Sequence, residues 1–156
     1  EKYVAPPTPP HTREKLLMPA LTQKPRPAID ELSKPFWAAA QKHQLVIQRC
    51  VNCKAYNHPP RAMCNVCRAK TLKFERVTGR GTIYSFSIMH QPNVPGFNQE
   101  LPYINIIVEL EEQAALFLVS DMPEAERHNI RIGAKVTVYF HDIDKELTLP
   151  KFRLNA

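Results

Sequence analysis

The sequence predicts a mainly β protein: a Pro-rich arm (residues 1–29), a helix with a four-cysteine ribbon (30–77), and a five-stranded OB-like barrel (78–156). Three observations predict it. Two CxxC pairs face each other across ten intervening residues. Five apolar segments with β character follow between residues 82 and 154, separated by Gly, Pro and acidic turns. Only one short segment has sustained helical periodicity, and eight of the fifteen prolines lie before residue 36.

The arm comes first. Pro6-Pro7-Thr8-Pro9-Pro10 favours polyproline II and lacks the amide donors that a helix or sheet needs. Arg13 to Leu17 has room for one helical turn before Pro19. A segment with so little core of its own is either disordered or laid across a partner. A helix is expected from Lys34 to His43, with Ser33 as N-cap and Pro35 in the first turn, where a missing amide costs least. Phe36, Trp37 and Ala40 share one face. Trp37, the only tryptophan, either packs this helix onto the domain or anchors a partner.

Leu45 to Arg49 reads as a strand leading into Cys50-Val51-Asn52-Cys53, and the second knuckle is Cys64-Asn65-Val66-Cys67. These are the only four cysteines in the chain. Tetrahedral zinc takes four thiolates from two such tight turns, which leaves no position open for water or substrate. The site is therefore structural. Disulfides would allow three pairings, but CxxC pairs make a poor disulfide framework and no secretory leader is visible. A thioredoxin-type redox pair needs one CxxC opening a helix, not two matched pairs. Iron of the rubredoxin type takes the same ligands. Between the knuckles, Pro59-Pro60 fixes the backbone. Arg61 then projects from a rigid point, suited to a phosphate or carboxylate, or else covers the ribbon surface. Leu72 to Val77 returns as a strand.

Gly79 and Gly81 around Arg80 mark a bulge or a close backbone approach. They are no phosphate loop, since GxGxxG and GxxxxGK are both absent. Thr82 to Met89 alternates, with Tyr84, Phe86 and Ile88 on the inner face. Gln91 to Pro102, which holds Phe97, is long for a hairpin loop, and long ordered loops often make contacts. Tyr103 to Leu110 points Ile104, Ile106, Val108 and Leu110 inward, and Glu111-Glu112-Gln113 turns the chain. Ala114 to Ser120 is almost continuously apolar and reads as buried on both faces. Met122 to Ile132 has room for a helical turn. Lys135 to Phe140 follows, with Val136, Val138 and Phe140 inward. The last strand is Leu147 to Leu154, which Pro150 places at an edge.

The net charge of +6 is uneven. Residues 1–30 hold five Lys/Arg against three Asp/Glu (+2), residues 31–80 ten against two (+8), and residues 81–156 six against ten (−4). A four-thiolate zinc centre would contribute about −2 to the basic part. A basic patch suits nucleic acid, a cofactor's phosphates or an acidic partner, or is simply a solvated face. No run approaches the roughly 18 apolar residues of a membrane helix. Nothing in the chain assembles a catalytic constellation. The metal takes every cysteine, and neither GxSxG nor HExxH occurs. Asp142 and Asp144 read as a solvated turn.

Several short motifs follow one another in this order: the four-cysteine ribbon, Pro59-Pro60-Arg61, Gly79 to Thr82, Pro95-Gly96-Phe97, Pro102-Tyr103, Val108-Glu109-Leu110, Ile132-Gly133 and Pro150-Lys151-Phe152. In that order, over residues 30–154, the chain resembles the thiolase-associated family with a rubredoxin-like zinc ribbon joined to an OB-fold. The resemblance implies structural Zn2+ and a cytoplasmic accessory subunit or domain, not catalytic alone. It would form a hetero-oligomer with a thiolase-like acyl-CoA enzyme. Ser33 to Cys50 looks most like the steroid-degrading branch, whose partner is a thiolase-like retro-aldolase, a lyase. Some members follow a MaoC-like hydratase domain, and a start at Glu1 would fit a domain cut from such a fusion. By this resemblance Phe36, Trp37 and Phe97 would give apolar contacts to the partner or acyl group, and Arg61 and Arg80 would attract the phosphates of acyl-CoA. The family often places Gly after each knuckle and Asp/Glu-Gly in the hairpin turn, where this chain has Lys54, Arg68 and Glu111-Glu112-Gln113. The alternative is a single-stranded nucleic-acid-binding ribbon/OB protein, which the pI of 9.3 permits. An inner-facing Tyr84 and Phe86 and a barrel of −4 speak against it.

Overall fold

The structure is a computed structural model that describes residues 24–91, 96–97 and 100–155. The Pro6–Pro10 run and the Arg13–Leu17 turn lie outside the described residues. The elements are α1 (Lys34–Ala40), β1 (Val46–Cys50), β2 (Tyr56–Asn57), β3 (Leu72–Arg76), β4 (Arg80–Met89), β5 (Tyr103–Leu110), β6 (Phe117–Met122), a 3-10 turn (Glu124–Glu126), β7 (Lys135–Asp142) and β8 (Thr148–Leu154). They form a ribbon sheet ordered β2-β1-β3 and a barrel sheet ordered β6-β5-β4-β7-β8, antiparallel throughout.

The helix buries Phe36 and Ala40 as expected, but its ends differ from the sequence reading. Ser33 does not cap it with its side chain. Its hydroxyl donates instead to the Asp30 carboxylate at 2.6 Å, which also accepts the Ser33 N–H at 2.7 Å. The helix stops at Ala40 rather than His43, because His43 takes a left-handed φ of 55° that ends α-helical winding. Residues 55–63 hold β2, a strand missed in the sequence because it is only two residues long.

The glycines at 79 and 81 serve close approach. A Cβ on Gly81 would lie 2.5 Å from Val108 Cγ1 and 2.6 Å from the Glu109 carbonyl oxygen. Gly79 adopts φ +74°, and a Cβ there would lie 2.2 Å from Val138 Cγ1. The bulge comes later, at Tyr84. Ile83 opposes Val108 and Ser85 opposes Ile107, so Tyr84 is the extra residue. That insertion turns Tyr84 outward, 55% exposed and against Phe117 at 4.5 Å, while Phe86 and Ile88 stay opposite the inward Ile106 and Ile104. The expectation that Tyr84 joins the inner stripe is thereby overturned.

β6 starts at Phe117 rather than Ala114, and only one of its faces is covered. Leu118 is buried but Val119 is 72% exposed. The apolar outer face borders an open cleft rather than a second layer. β8 lies at the edge of the ladder, as Pro150 required. Side chains stitch the seam between β6 and β8: Ser120 Oγ donates to the Pro150 carbonyl at 2.9 Å, and Lys151 pairs with Asp121 at 2.7 Å.

Ile83, Ile104, Ile106, Val108, Leu110, Val136 and Phe152 fill the barrel. Phe36, Leu45, Ile47 and Val77, from the helix and ribbon, extend the same core. The Glu111-Glu112-Gln113 turn then fastens the ribbon to the barrel through Gln113, and braces the start of the barrel through Glu112 and Glu111. Tyr56 N–H donates to Gln113 Oε1 at 2.8 Å, Glu112 accepts from Thr78 N–H at 2.6 Å, and Glu111 pairs with Arg80 at 2.7 Å. Residues 24–28 make ion pairs and contacts with the barrel of this same chain, which corrects the view of the arm for that stretch.

Candidate metal centre and docking cleft

The two knuckles are copies of one turn. Cys50 N–H donates to the Ala55 carbonyl and Cys64 N–H to that of Ala69, both at 2.9 Å. Lys54 N–H returns to the Cys50 carbonyl at 3.0 Å and Arg68 N–H to that of Cys64 at 3.1 Å. Lys54 and Arg68 carry φ of 65° and 63°, the left-handed conformation that explains why glycine suits these places. The four Sγ atoms lie within 4.8 Å of one another. Cys50–Cys67 and Cys53–Cys64 are each 3.6 Å apart. A tetrahedron with metal–sulfur bonds of about 2.3 Å has edges of about 3.8 Å, so this donor set fits zinc. Zinc held by Cys50, Cys53, Cys64 and Cys67 would supply a structural cross-link.

The local electrostatics favour that role. The N–H groups of Cys67 and Val66 hold the Cys64 thiol down to about 6. Those of Cys53 and Asn52 lower Cys50. For Cys53 the Ala55 N–H also lowers, but burial and the sulfurs of Cys67, Cys64 and Cys50 outweigh it and push the thiol up to about 12. A dication reverses that crowding of like charge. Buried Asn57 ties the knuckles together, donating to the Ala55 carbonyl at 3.1 Å and accepting from Asn65 N–H at 2.9 Å. Nothing in its sequence context marked it.

Replacing Lys54 or Arg68 by Gly should stabilise the metal-loaded protein by about 0.5–1 kcal/mol each. The left-handed penalty of about 1–2 kcal/mol is removed, and glycine's backbone entropy takes back about half. Guanidinium unfolding of the two variants, with metal content held constant, measures it.

An apolar cleft of about 490 Å³ opens between α1, the Pro59-Pro60 segment, Phe97 and the seam of β6 and β8. Phe36 and Trp37 meet edge to face with ring centroids 5.1 Å apart, and His58 lies 5.6 Å from Phe36. Burial pushes the His58 imidazole down to about 4, so it is neutral near pH 7. Buried Gln48 fixes the Pro-Pro wall by donating to the Arg61 carbonyl and accepting the Arg61 N–H, each at 2.9 Å. Of the sequence-derived contact residues, Phe36, Trp37 and Phe97 line this cleft. Arg61 is exposed directly after its Pro-Pro wall. Arg80 does not line it and is committed to Glu111. His58, next to the Pro59-Pro60 wall, lines it too, and so does Val119, which the sequence did not single out as a contact.

A tetrathiolate ribbon built onto a small antiparallel barrel defines a zinc-ribbon/OB-fold protein. Family models agree: residues 37–73 match "ChsH2, rubredoxin-like zinc ribbon domain" and residues 74–141 match "ChsH2, C-terminal OB-fold domain". The chain belongs to the DUF35 family, in this ChsH2 form. It is 31% identical over 108 residues to a DUF35 domain-containing scaffold protein of Methanocaldococcus jannaschii, covering 68% of this chain and 74% of that one. It is 38% identical over 130 residues to a probable enoyl-CoA hydratase alpha subunit of Thermomonospora curvata, covering 83% of this chain and 40% of that protein. With the 3-oxo-4,17-pregnadiene-20-carboxyl-CoA hydratase alpha subunit of Mycobacterium tuberculosis it shares 29% identity over 75% of this chain and 36% of that one. The chain thus spans well under half the length of these hydratase-named relatives. Among solved structures, the Ltp2-ChsH2(DUF35) aldolase superimposes with a TM-score of 0.73 at 36% identity, over 83% of this chain and 98% of that one. No described helix is long and apolar enough to cross a membrane.

Proposed function

We propose that this chain is a non-catalytic accessory subunit or domain that binds a thiolase-like aldolase of steroid side-chain breakdown and borders its acyl-CoA site. The observation that carries this is the likeness to the DUF35 chain of the Ltp2-ChsH2 aldolase, which extends over 98% of that chain. The cleft gives the reading a surface, because Trp37, Phe97 and the exposed Val119 together offer apolar area beside a rigid wall. Arg61 and the basic ribbon would steer the phosphates of acyl-CoA toward the joint site. The hydratase names of two relatives favour association with a MaoC-like hydratase domain as well.

Co-expression with a thiolase-like subunit from the same host should yield one hetero-oligomer on gel filtration. Trp37→Ala combined with Val119→Asp should weaken the complex at least about tenfold, as loss of a buried anchor does at interfaces. Two separately soluble, fully active proteins that do not associate would refute the reading. Nucleic-acid binding is the weaker alternative. Tyr84 and Phe117 do form an outer aromatic pair, but they stand on a barrel half of net charge −4, which repels a phosphate backbone.

A further inference from the structure

The two knuckles share a backbone but not a surface. Their turn hydrogen bonds coincide when Cys50 is laid on Cys64 and Ala55 on Ala69. Asn52 and Val66 then hold the same place, as do Arg49 and Met63. Each knuckle carries one valine and one asparagine, in opposite order. In the first, Val51 is half-buried and Asn52 is exposed. In the second, Val66 is 65% exposed, and the bond from Asn65 to Asn57 is made by a backbone N–H, not by the asparagine side chain. Met63 is 43% exposed, whereas Arg49 pairs with Glu75 and lies 4.9 Å from the centroid of the Tyr56 ring. The turn accepts asparagine where Val66 stands, so folding does not ask for the apolar side chain there. Arg68 and Lys70 follow directly, exposed and without an ion pair among the described residues. The acids of the basic stretch, Glu31 and Glu75, are taken up by Lys34 and Arg49.

We propose that the second knuckle is a docking knob for a protein surface that offers an apolar pocket ringed by carboxylates. This rests on the partner reading above and adds a second contact on the same partner, since neither Met63 nor Val66 lines the cleft. Met63 and Val66 are the apolar insert, and Arg68 and Lys70 meet the rim. Charge complementarity selects the occupant: a carboxylate rim is drawn to a stretch with ten Lys/Arg against two Asp/Glu. A metal-bound turn is rigid before it docks, so burying it costs little ordering entropy. An anionic membrane fits less well, because membrane affinity scales with the apolar area inserted and two side chains supply little. Single-stranded nucleic acid needs open aromatic faces for stacking, and Tyr56 of the ribbon has Arg49 over its ring.

Biolayer interferometry between the metal-loaded full chain and a thiolase-like subunit of the same host tests this. Val66→Asn copies the first knuckle, so metal content and Tm should stay as they are while the dissociation constant rises about tenfold. Arg68→Gly with Lys70→Gln should slow association about fivefold and flatten its dependence on salt. Asn52→Ala, in the first knuckle, should change neither constant. Unaltered binding by the Val66 and Arg68/Lys70 variants overturns the proposal and leaves the partner reading intact. An equal loss from Asn52→Ala overturns it too, since the effect would then not belong to the second knuckle. No complex with the unaltered chain overturns the partner reading and this one with it. Binding to vesicles of equal parts phosphatidylserine and phosphatidylcholine that Val66→Asn abolishes would give the knob to a membrane, and so also overturn it. Should Val66→Asn lose metal, Met63→Gln, outside the four-residue turn, decides by the same constant.

Discussion

Removing the metal should unfold the ribbon and carry the barrel with it. Structural zinc bound by thiolates supplies on the order of 10–16 kcal/mol of apparent binding energy, whereas a whole domain is stable by only about 5–15 kcal/mol. The loss cannot stay local, because Leu45, Ile47 and Val77 from the ribbon lie in one apolar cluster with Ile83, Ile104 and Val136 of the barrel. Gln113 is also bonded across the junction to Tyr56. Chelation, or Cys64→Ser at the buried ligand, should abolish cooperative melting or lower Tm by more than about 10 °C, given roughly 2–4 °C per kcal/mol at this size. Elemental analysis beside near-ultraviolet circular dichroism measures both sides of this and separates zinc from iron. A metal-free chain that melts like the native one would contradict it. A free sulfur that reacts with an acyl thioester would undermine the non-catalytic reading as well.

How much of this was legible beforehand depends on the range of the interaction. The four ligands were legible because knuckle spacing is local chemistry: a turn of four residues places two thiolates, and each half carries its own signal. The inward stripe of β5 was legible for the same reason, since Ile104, Ile106, Val108 and Leu110 alternate without interruption. Tyr84 was not. A bulge is one unpaired residue decided by the neighbouring strand, and the alternation of Tyr84, Phe86 and Ile88 is unbroken in the sequence. Val119 was misjudged because continuous apolar character signals burial by something, and here that something is not another layer of the domain. The Glu111-Glu112-Gln113 turn looked like a mere departure from the family pattern. Its use is visible only when Tyr56 and Thr78, far away in sequence, are brought beside it.

The cleft shows the same limit more sharply. Phe36, Trp37 and Phe97 were singled out separately, for helical position, rarity and loop context. What joins them is the Pro59-Pro60 wall held by Gln48, an amide whose two hydrogen bonds run to one distant backbone residue. No pattern in a single sequence announces such a pair. The place of residues 24–27 was hidden in another way: Lys-Pro-Arg-Pro reads as linker composition until Asp144 and Glu100 are placed opposite its two charges.

The largest acid sensitivity outside the metal centre should come from His58. Burial holds its folded-state pKa at about 4, against 6.5 for the free side chain. Between those values the unfolded chain binds a proton that the folded chain refuses, so stability there rises with pH. The contribution is fully present above about pH 6.5 and declines as the pH falls toward 4. The gap corresponds to at most about 3.5 kcal/mol, since one pH unit is worth about 1.4 kcal/mol. The side chain is half-buried, so part of that will be lost to solvent. Urea unfolding in metal-replete buffer at pH 7 and pH 5 should show the unaltered chain losing up to about 2 kcal/mol more than His58→Gln. Protonation of the thiolates affects both chains alike and cancels in that difference. Parallel losses would mean that His58 meets water freely, and the cleft wall beside Phe36 would then be wetter than its apolar lining implies. A retained difference means that the cleft keeps a neutral imidazole near pH 7, which an apolar partner surface can cover without burying a charge.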